Sequence, residues 1–109
     1  MFGLGKKKAP ALRVSLVGMN ERAYQLFSMF LDGPARGSCE VVSDGSHEAV
    51  ILDLDALESS RLWLDVRRKF QGPVIVLSVT EKQIQLNNAF WVPKPVKVDT
   101  FLPVIEKVR

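Results

Sequence analysis

The chain has 109 residues, the length of one ordinary domain with a single folded unit. Hydrophobic residues make up 47% of it and charged residues 25%, which is typical of a globular protein and not of a disordered one. No apolar run approaches the roughly 20 residues that cross a bilayer, so we expect no stable membrane insertion and a cytoplasmic location. The single cysteine, Cys39, excludes an internal disulfide and a cysteine-based zinc site.

The net charge of +3 is concentrated at the start of the chain. Lys6, Lys7 and Lys8 account for all of it, and the rest of the chain is balanced. No basic stripe with interleaved aromatic residues is present, so we expect no nucleic-acid binding by the folded body. We interpret residues 1–10 as a basic, flexible leader and residues 11–109 as the single domain.

The first third of the chain predicts a strand and then a helix. Apolar and polar residues alternate over residues 12–18, which indicates a β-strand. Asn20 is a helix-capping residue type, and Gly33 and Pro34 are typical of a helix end. The apolar residues that recur between them at helical spacing are Ala23, Leu26, Phe27, Phe30 and Leu31.

A short strand is predicted next, over residues 40–42, and it raises a problem of connection. Only residues 43–48 separate it from the following apolar run, whereas a parallel crossover usually takes a dozen or more. No helix fits in that interval. Either an extended segment returns along the sheet, or the edge strand lies elsewhere or runs differently.

Two continuous apolar runs predict the centre of a sheet. They cover residues 49–55, which end in Asp53 and Asp55, and residues 74–79. Runs that are apolar on both faces are typical of parallel strands covered by helices on both sides. Asp55, Glu58 and Ser59 are capping candidates for the helix between the runs. That helix is predicted to turn Leu62, Val66 and Phe70 inward and Arg61, Arg67, Arg68 and Lys69 outward.

The last third predicts a short segment, a strand and a terminal helix. Residues 80–86 leave room for about two helical turns, and residues 90–92 form the next strand candidate. The final helix is predicted over residues 99–108. Alternating strands and helices predict a flavodoxin-like α/β sandwich with a parallel sheet and right-handed crossovers.

Three segments, in this order, resemble the receiver domain of bacterial two-component response regulators. Residues 48–54 are similar to the third strand of that family, residues 73–79 to the fourth and residues 91–96 to the fifth. The resemblance extends over residues 12–108. It implies the fold of that family, here with a missing or shortened second helix and a clipped fourth helix.

The resemblance also implies roles for residues at the ends of the strands. Asp53 takes the position of the phosphoryl acceptor, and Ser78 that of the hydroxyl that senses the phosphate. Lys94 takes the position of a lysine that precedes a proline, here Pro95, commonly through a cis peptide bond. We expect an ion pair between Lys94 and Asp53, because the family brings these positions together.

The chain departs from the family at the end of the first strand. Receivers carry an acidic pair there that helps to hold Mg²⁺, and these positions here are Gly18 and Met19, followed by Asn20 and Glu21. Mg²⁺ requires oxygen ligands, and a methionine thioether is a poor ligand for a hard cation. Glu21 is expected inside the helix. The chain therefore resembles a degenerate receiver, or pseudo-receiver, with no metal and no cofactor.

We interpret the chain as a signalling module without enzymatic activity that binds a partner protein or a second copy of itself, independently of phosphorylation. Phe90 and Trp91 are the candidate interface residues. Alternation turns them to opposite faces of the fifth strand, so we expect an aromatic side chain near the surface, where it can anchor an interface. Trp63 is a further candidate for an exposed aromatic residue. The competing hypothesis is a working receiver that is phosphorylated on Asp53 with Mg²⁺.

The residue types also allow a ligand-binding domain or an enzyme. A small ligand has a candidate crevice near Gly18, Ser78 and Lys94. Asp53 and Asp55 match the Asp-x-Asp motif of metal-dependent glycosyltransferases, but a strand end followed by a helix cap explains them without a larger scaffold. Cys39 and His47 are residue types of a nucleophilic pair, but no orienting residue accompanies them, and we expect no catalytic residue.

Overall fold

Five strands and three helices alternate along the chain in this computed structural model, which describes residues 10–55, 59–79 and 88–109. The elements are β1 (Leu12–Val17), α1 (Glu21–Asp32), β2 (Cys39–Val41), β3 (Ala49–Asp53), α2 (Ser59–Lys69), β4 (Val74–Ser78), β5 (Ala89–Pro93) and α3 (Val98–Val108). Most of the predicted leader, the capping role of Glu58 and the clipped fourth helix lie outside the described residues.

The five strands form one parallel sheet in the order β2-β1-β3-β4-β5. This order is that of the flavodoxin-like fold, so the predicted fold class is confirmed. The two continuous apolar runs supply β3 and β4, and every residue of both strands is buried. Because all strands are parallel, their carboxyl ends meet at a single edge of the sheet.

Alternation along the strands sends side chains to two separate cores. In β3, Ala49 and Ile51 face α1 and α3, and Val50 and Leu52 face α2. The first group, the α1–α3 core, includes Leu12, Val14, Phe27, Leu31, Ala49, Ile51, Ile75, Leu77, Val92, Phe101 and Ile105. The second, the α2 core, comprises Val50, Leu52, Leu54, Val66, Val74 and Val76 with Leu62, Trp63 and Phe70 packed against it.

Local signals set the ends of α1 as predicted. The Asn20 side chain accepts a hydrogen bond from the Ala23 N–H at 2.8 Å, and the Gly33 N–H donates to the Met29 carbonyl at 2.9 Å. Phe27 and Leu31 are buried, whereas Leu26 remains 57% exposed. The helix therefore carries apolar side chains on more than its core face.

The edge strand and its connection differ from the prediction in one respect. β2 lies one residue earlier than residues 40–42, because its pairing with β1 starts at Cys39 opposite Leu12. Val41 of β2 and Ala49 of β3 both pair with Val14 of β1. The end of β2 and the start of β3 are therefore level, and residues 42–48 need only cross β1.

Residues 42–48 make this crossing without a helix. The Val42 N–H donates to the Val14 carbonyl at 2.9 Å, and the Glu48 N–H donates to the Arg13 carbonyl at 2.8 Å. The His47 ring lies 4.9 Å from the Phe70 ring, so the crossing passes on the α2 side of the sheet. The missing second helix of the prediction is thus confirmed.

No helix among the described residues has the length and apolar character needed to span a membrane.

Candidate functional site

The candidate site lies at the edge of the sheet where β3, β4 and β5 end. Asp53 is the last residue of β3, Ser78 is the last of β4, and Lys94 directly follows β5. The Lys94 N–H donates to the Ser78 carbonyl at 3.1 Å, which extends the pairing of β4 and β5 by one bond. In open α/β sheets this edge is where ligands bind.

Lys94 forms the expected ion pair with Asp53. Its Nζ lies 2.8 Å from both Oδ1 and Oδ2 of Asp53, which are distances of strong charge-assisted hydrogen bonds. Asp53 is only 8% exposed, and its Oδ1 also accepts the Asp55 N–H at 2.9 Å. The Lys94–Pro95 peptide bond is cis.

Asp55 takes part in the same cluster through three donors. Its Oδ1 accepts the Ser78 hydroxyl at 3.0 Å, its Oδ2 accepts the Val79 N–H at 3.0 Å, and Lys94 Nζ lies 3.4 Å from Oδ2. Partial burial raises the pKa of Asp55, but the Val79 and Ser78 hydrogen bonds and the Lys94 charge outweigh it, so the net shift is downward. Asp55 is therefore held as a carboxylate between two other strand ends.

This role of Asp55 is absent from the sequence prediction, which treats the residue as part of a strand end and helix cap. β3 ends at Asp53, and residues 54–55 form a turn instead of continuing the strand. Its partners Ser78, Val79 and Lys94 lie more than twenty residues further along the chain. No local pattern marks such contacts, and only the register of the strands brings them together.

The end of β1 supplies no ligand set for Mg²⁺. Gly18 has no side chain, Met19 presents sulfur and packs against the α1–α3 core, and the Asn20 oxygen already accepts the Ala23 N–H. Glu21 is exposed in the first turn of α1. Since Mg²⁺ needs oxygen ligands in an octahedral arrangement, the residues present do not fit it. The described residues contain no group of three or more His, Cys, Asp or Glu side chains placed to hold a metal ion.

A groove of about 350 Å³ opens beside the ion pair. It is mostly apolar, with Lys94 and Asp53 at one side, and its other lining residues are Met19, Ala23, Leu26, Phe27, Phe30, Leu77, Pro95 and Val96. The predicted crevice for a small ligand is therefore displaced toward α1. Ser78 is fully buried and lies outside this lining, as does Gly18.

The candidate interface aromatics of β5 lie on opposite faces of the sheet, as predicted. Phe90 pairs with Ile75 and Trp91 with Val76, so Phe90 faces the α1–α3 core and Trp91 the other side. Both are half-buried, and the Trp91 indole N–H donates to the Ser78 carbonyl at 3.2 Å.

Trp63 is half-buried and packs against the α2 core, so the expectation that it is exposed is wrong. The Arg67 guanidinium lies 5.4 Å from the centre of its ring and also donates to the carbonyls of Phe70 and Gly72. Arg67 is therefore not turned fully outward. It holds the end of α2 to the following loop and covers Trp63.

Cys39 and His47 are separated by the sheet. Cys39 packs against the α1–α3 core, and His47 contacts Phe70 on the α2 side. Burial raises the pKa of the Cys39 thiol to about 11, so little of it is thiolate at neutral pH. The two side chains form no nucleophilic pair.

No protein-family model matches the chain, and no curated protein sequence matches it. The fold and the site together define a flavodoxin-like parallel α/β domain with a lysine–carboxylate cluster at the carboxyl edge of the sheet.

Proposed function

We propose that this domain is a degenerate response-regulator receiver, a signalling module that works by protein–protein interaction and not by phosphorylation. The observation that carries the proposal is the contact of Lys94 Nζ with both oxygens of Asp53 at 2.8 Å. It is combined with an end of β1 that carries Gly18 and Met19 in place of carboxylates.

Electrostatics supports independence from phosphate. A carboxylate that attacks a phosphoryl group brings negative charges together, and such reactions rely on a divalent cation to neutralise them. Here the cation at Asp53 is Lys94, and Asp55 already shares it. One ammonium group between two carboxylates leaves no excess positive charge for an incoming phosphoryl group.

The exposed apolar surface supports interaction with protein. Among the described residues, three of the five large apolar side chains that are exposed belong to α1: Tyr24, Leu26 and Met29. Leu26 also lines the groove beside Lys94. Leu26 and Met29 lie three residues apart on one face of α1. Exposed apolar neighbours of this kind are typical of a contact surface, so this face of α1 joins Phe90 and Trp91 as a candidate interface. The partner is another protein or a second copy of the chain.

The first experiment tests the response to a phosphate mimic. ¹⁵N-labelled protein is titrated with Mg²⁺ and beryllofluoride, and the amide signals of Gly18, Asp53, Ser78 and Lys94 are followed. We expect no saturable shift, because Gly18 and Met19 at the end of β1 add no carboxylate to those of Asp53 and Asp55, which Lys94 already engages. A receiver with an intact acidic pair serves as the positive control. Saturable shifts that disappear in Asp53→Asn would support a working receiver instead.

The second experiment tests the interface. Light scattering and sedimentation compare the wild type with Leu26→Asp on α1 and Leu64→Asp on α2. Both leucines are similarly exposed, at 57% and 60%, so the two variants are matched. We expect self-association, or binding of an identified partner, to be lost with Leu26→Asp and kept with Leu64→Asp. Trp91→Ala tests the β5 surface in the same way, and equal behaviour of all variants contradicts the interface.

A further inference from the structure

The groove beside the ion pair lies between α1 and the segment that leads into α3. Ala23, Leu26 and Phe30 line it at the spacing of one helix face, and Val96 lines it on the side of α3. The Leu26 side chain in this lining is 57% exposed. An apolar chain segment that covers the groove therefore removes apolar surface from water.

The helices on the two faces of the sheet differ in charge. α2 on one face has four basic residues and one acidic residue. α1 and α3 on the other face each have two acidic residues and one basic residue. Even with the capping residues Lys97 and Arg109 counted, this face lacks the excess positive charge of α2. At the groove itself, Asp53 and Asp55 share the one ammonium group of Lys94. A basic segment is therefore favoured on the α1–α3 face over the α2 face.

One segment of the chain combines the two properties that the groove and its face select. Residues 1–5 include the apolar residues Met1, Phe2 and Leu4, and the three lysines at residues 6–8 follow directly. These lysines carry the whole net charge of +3. The leader is thus complementary to the α1–α3 face in both hydrophobicity and charge.

The leader is long enough to reach the groove within the same chain. It joins the domain at Pro10, which lines a cavity together with Val108 at the end of α3. The groove begins level with the end of β1, about 26 Å from Pro10, and its other end at Phe30 is about 15 Å closer, because α1 runs back toward the amino edge. An extended chain spans about 3.3 Å per residue, so Leu4 reaches about 20 Å from Pro10 and Phe2 about 26 Å. Both residues fall within the length of the groove.

We propose that the leader docks intramolecularly in this groove, with Phe2 and Leu4 as apolar anchors and the three lysines on the surface of the α1–α3 face. The inference goes beyond the proposed function and does not depend on it. Docking covers Leu26, so a partner that binds this face of α1 has to displace the leader first.

The first test compares the wild type with Phe2→Ser/Leu4→Ser in the full, isotope-labelled chain. The double variant removes both anchors and leaves every described residue unchanged, so the domain keeps its fold. We expect the amide signals of Ala23, Leu26 and Val96 to shift and those of α2 to stay in place. Nuclear Overhauser contacts between the Phe2 ring and the methyl groups of Leu26 should be present in the wild type.

The second test changes the groove and observes the leader. Leu26→Asp and Leu64→Asp are matched, because the two leucines are 57% and 60% exposed and lie on opposite faces of the sheet. We expect Leu26→Asp to move the signals of Phe2 and Leu4 to their positions in an isolated peptide of residues 1–9. Leu64→Asp should leave them unchanged, and circular dichroism confirms that both variants are folded.

Identical groove signals in the wild type and Phe2→Ser/Leu4→Ser overturn the inference. Groove shifts that grow with protein concentration also overturn it, because they indicate docking on a second copy. Leader signals that change only when phosphatidylglycerol vesicles are added assign the leader to a membrane surface instead. The beryllofluoride experiment can be repeated with Phe2→Ser/Leu4→Ser, so failure of the docking and failure of the proposed function are separate results.

Discussion

A Cβ atom on residue 18 would lie 2.7 Å from the carbonyl oxygen of Asp53. Gly18 also has a φ of +85°, in the left-handed region that side chains disfavour. The end of β1 therefore approaches the end of β3 so closely that only glycine fits. The same contact explains why an acidic residue is incompatible with this position in the present backbone.

Gly18→Ala is expected to destabilise the domain by about 2–4 kcal/mol, from left-handed strain and the clash with β3. Gly37→Ala is the matched control, because Gly37 has a φ of +82° and no atom within 4 Å of the added Cβ. The control should lose about 1–2 kcal/mol, the cost of strain alone. Urea unfolding measures both, and equal losses would show that the approach to Asp53 has no energetic weight.

Lys94→Met is expected to lower the free energy of unfolding at pH 7 by about 2–3 kcal/mol, because it leaves a largely buried carboxylate without its partner. The side chains of Lys94 and Asp53 are 26% and 12% exposed. Arg13→Met removes the cation of the exposed Arg13–Glu48 pair, 47% and 50% exposed, and should cost under about 1 kcal/mol.

A double-mutant cycle checks the assignment of that loss. Asp53→Asn/Lys94→Met should be more stable than Lys94→Met alone, since no unpaired charge remains at Asp53. A double variant as unstable as the single one would indicate that the unpaired charge of Asp53 is not the source of the loss.

Asp55 gives the domain a dependence on acid. Its pKa in the folded chain lies below the ordinary value of 3.8, so its stabilising contribution is fully present above that value and is lost as the pH falls through the folded pKa. The free energy of unfolding should therefore fall more steeply in the wild type than in Asp55→Asn as the pH drops below 3.8.

Asp44→Asn is the control for that acid titration. Hydrogen bonds from Ser46 also lower the pKa of Asp44, but this group is fully exposed and solvent screens its contribution. Urea midpoints at each pH, with carboxyl carbon signals for Asp55, measure the effect. Parallel curves for the wild type and Asp55→Asn would contradict it.

Cys39 is expected to react slowly with aromatic disulfide reagents. Burial raises the pKa of its thiol from 9.0 to about 11, which lowers the thiolate fraction at pH 8 by about a hundredfold. The rate is measured from the absorbance of the thiolate that the reagent releases, in native protein and in urea. Similar rates in the two conditions would contradict the burial of Cys39. Because the unfolded thiol ionises first, stability should also fall as the pH rises from 9.0 toward about 11.

Sequence patterns predict most of the fold because its signals are local. The short apolar runs of β3 and β4 are typical of strands buried on both faces, and Asn20 and Gly33 define the ends of α1 within single turns. The position of β2 is set instead by pairing with Leu12, a contact between distant residues, and its prediction is shifted by one residue.

The candidate site is predictable only in part, for the same physical reason. The contact between Asp53 and Lys94 is predicted from the resemblance to receiver domains, because that family brings these two positions together. Asp55 lies outside that pattern, and its partners Ser78 and Val79 are determined by how the turn after β3 folds back on β4. Side-chain acceptors in turns have several local choices, and a sequence pattern does not select among them.

Val41 at the end of β2 and Ala49 at the start of β3 both pair with Val14, so these two strand ends lie at the same height along β1. This alignment determines how the two strands can be connected. A parallel connection usually climbs back the length of a strand, and a helix supplies that rise. When the end of one strand lies level with the start of the next, the connecting segment has only to move sideways by two strand spacings, about 10 Å. A parallel sheet therefore does not require a helix in this crossover. The helix can be left out when the end of β2 lies level with the start of β3, as it does here.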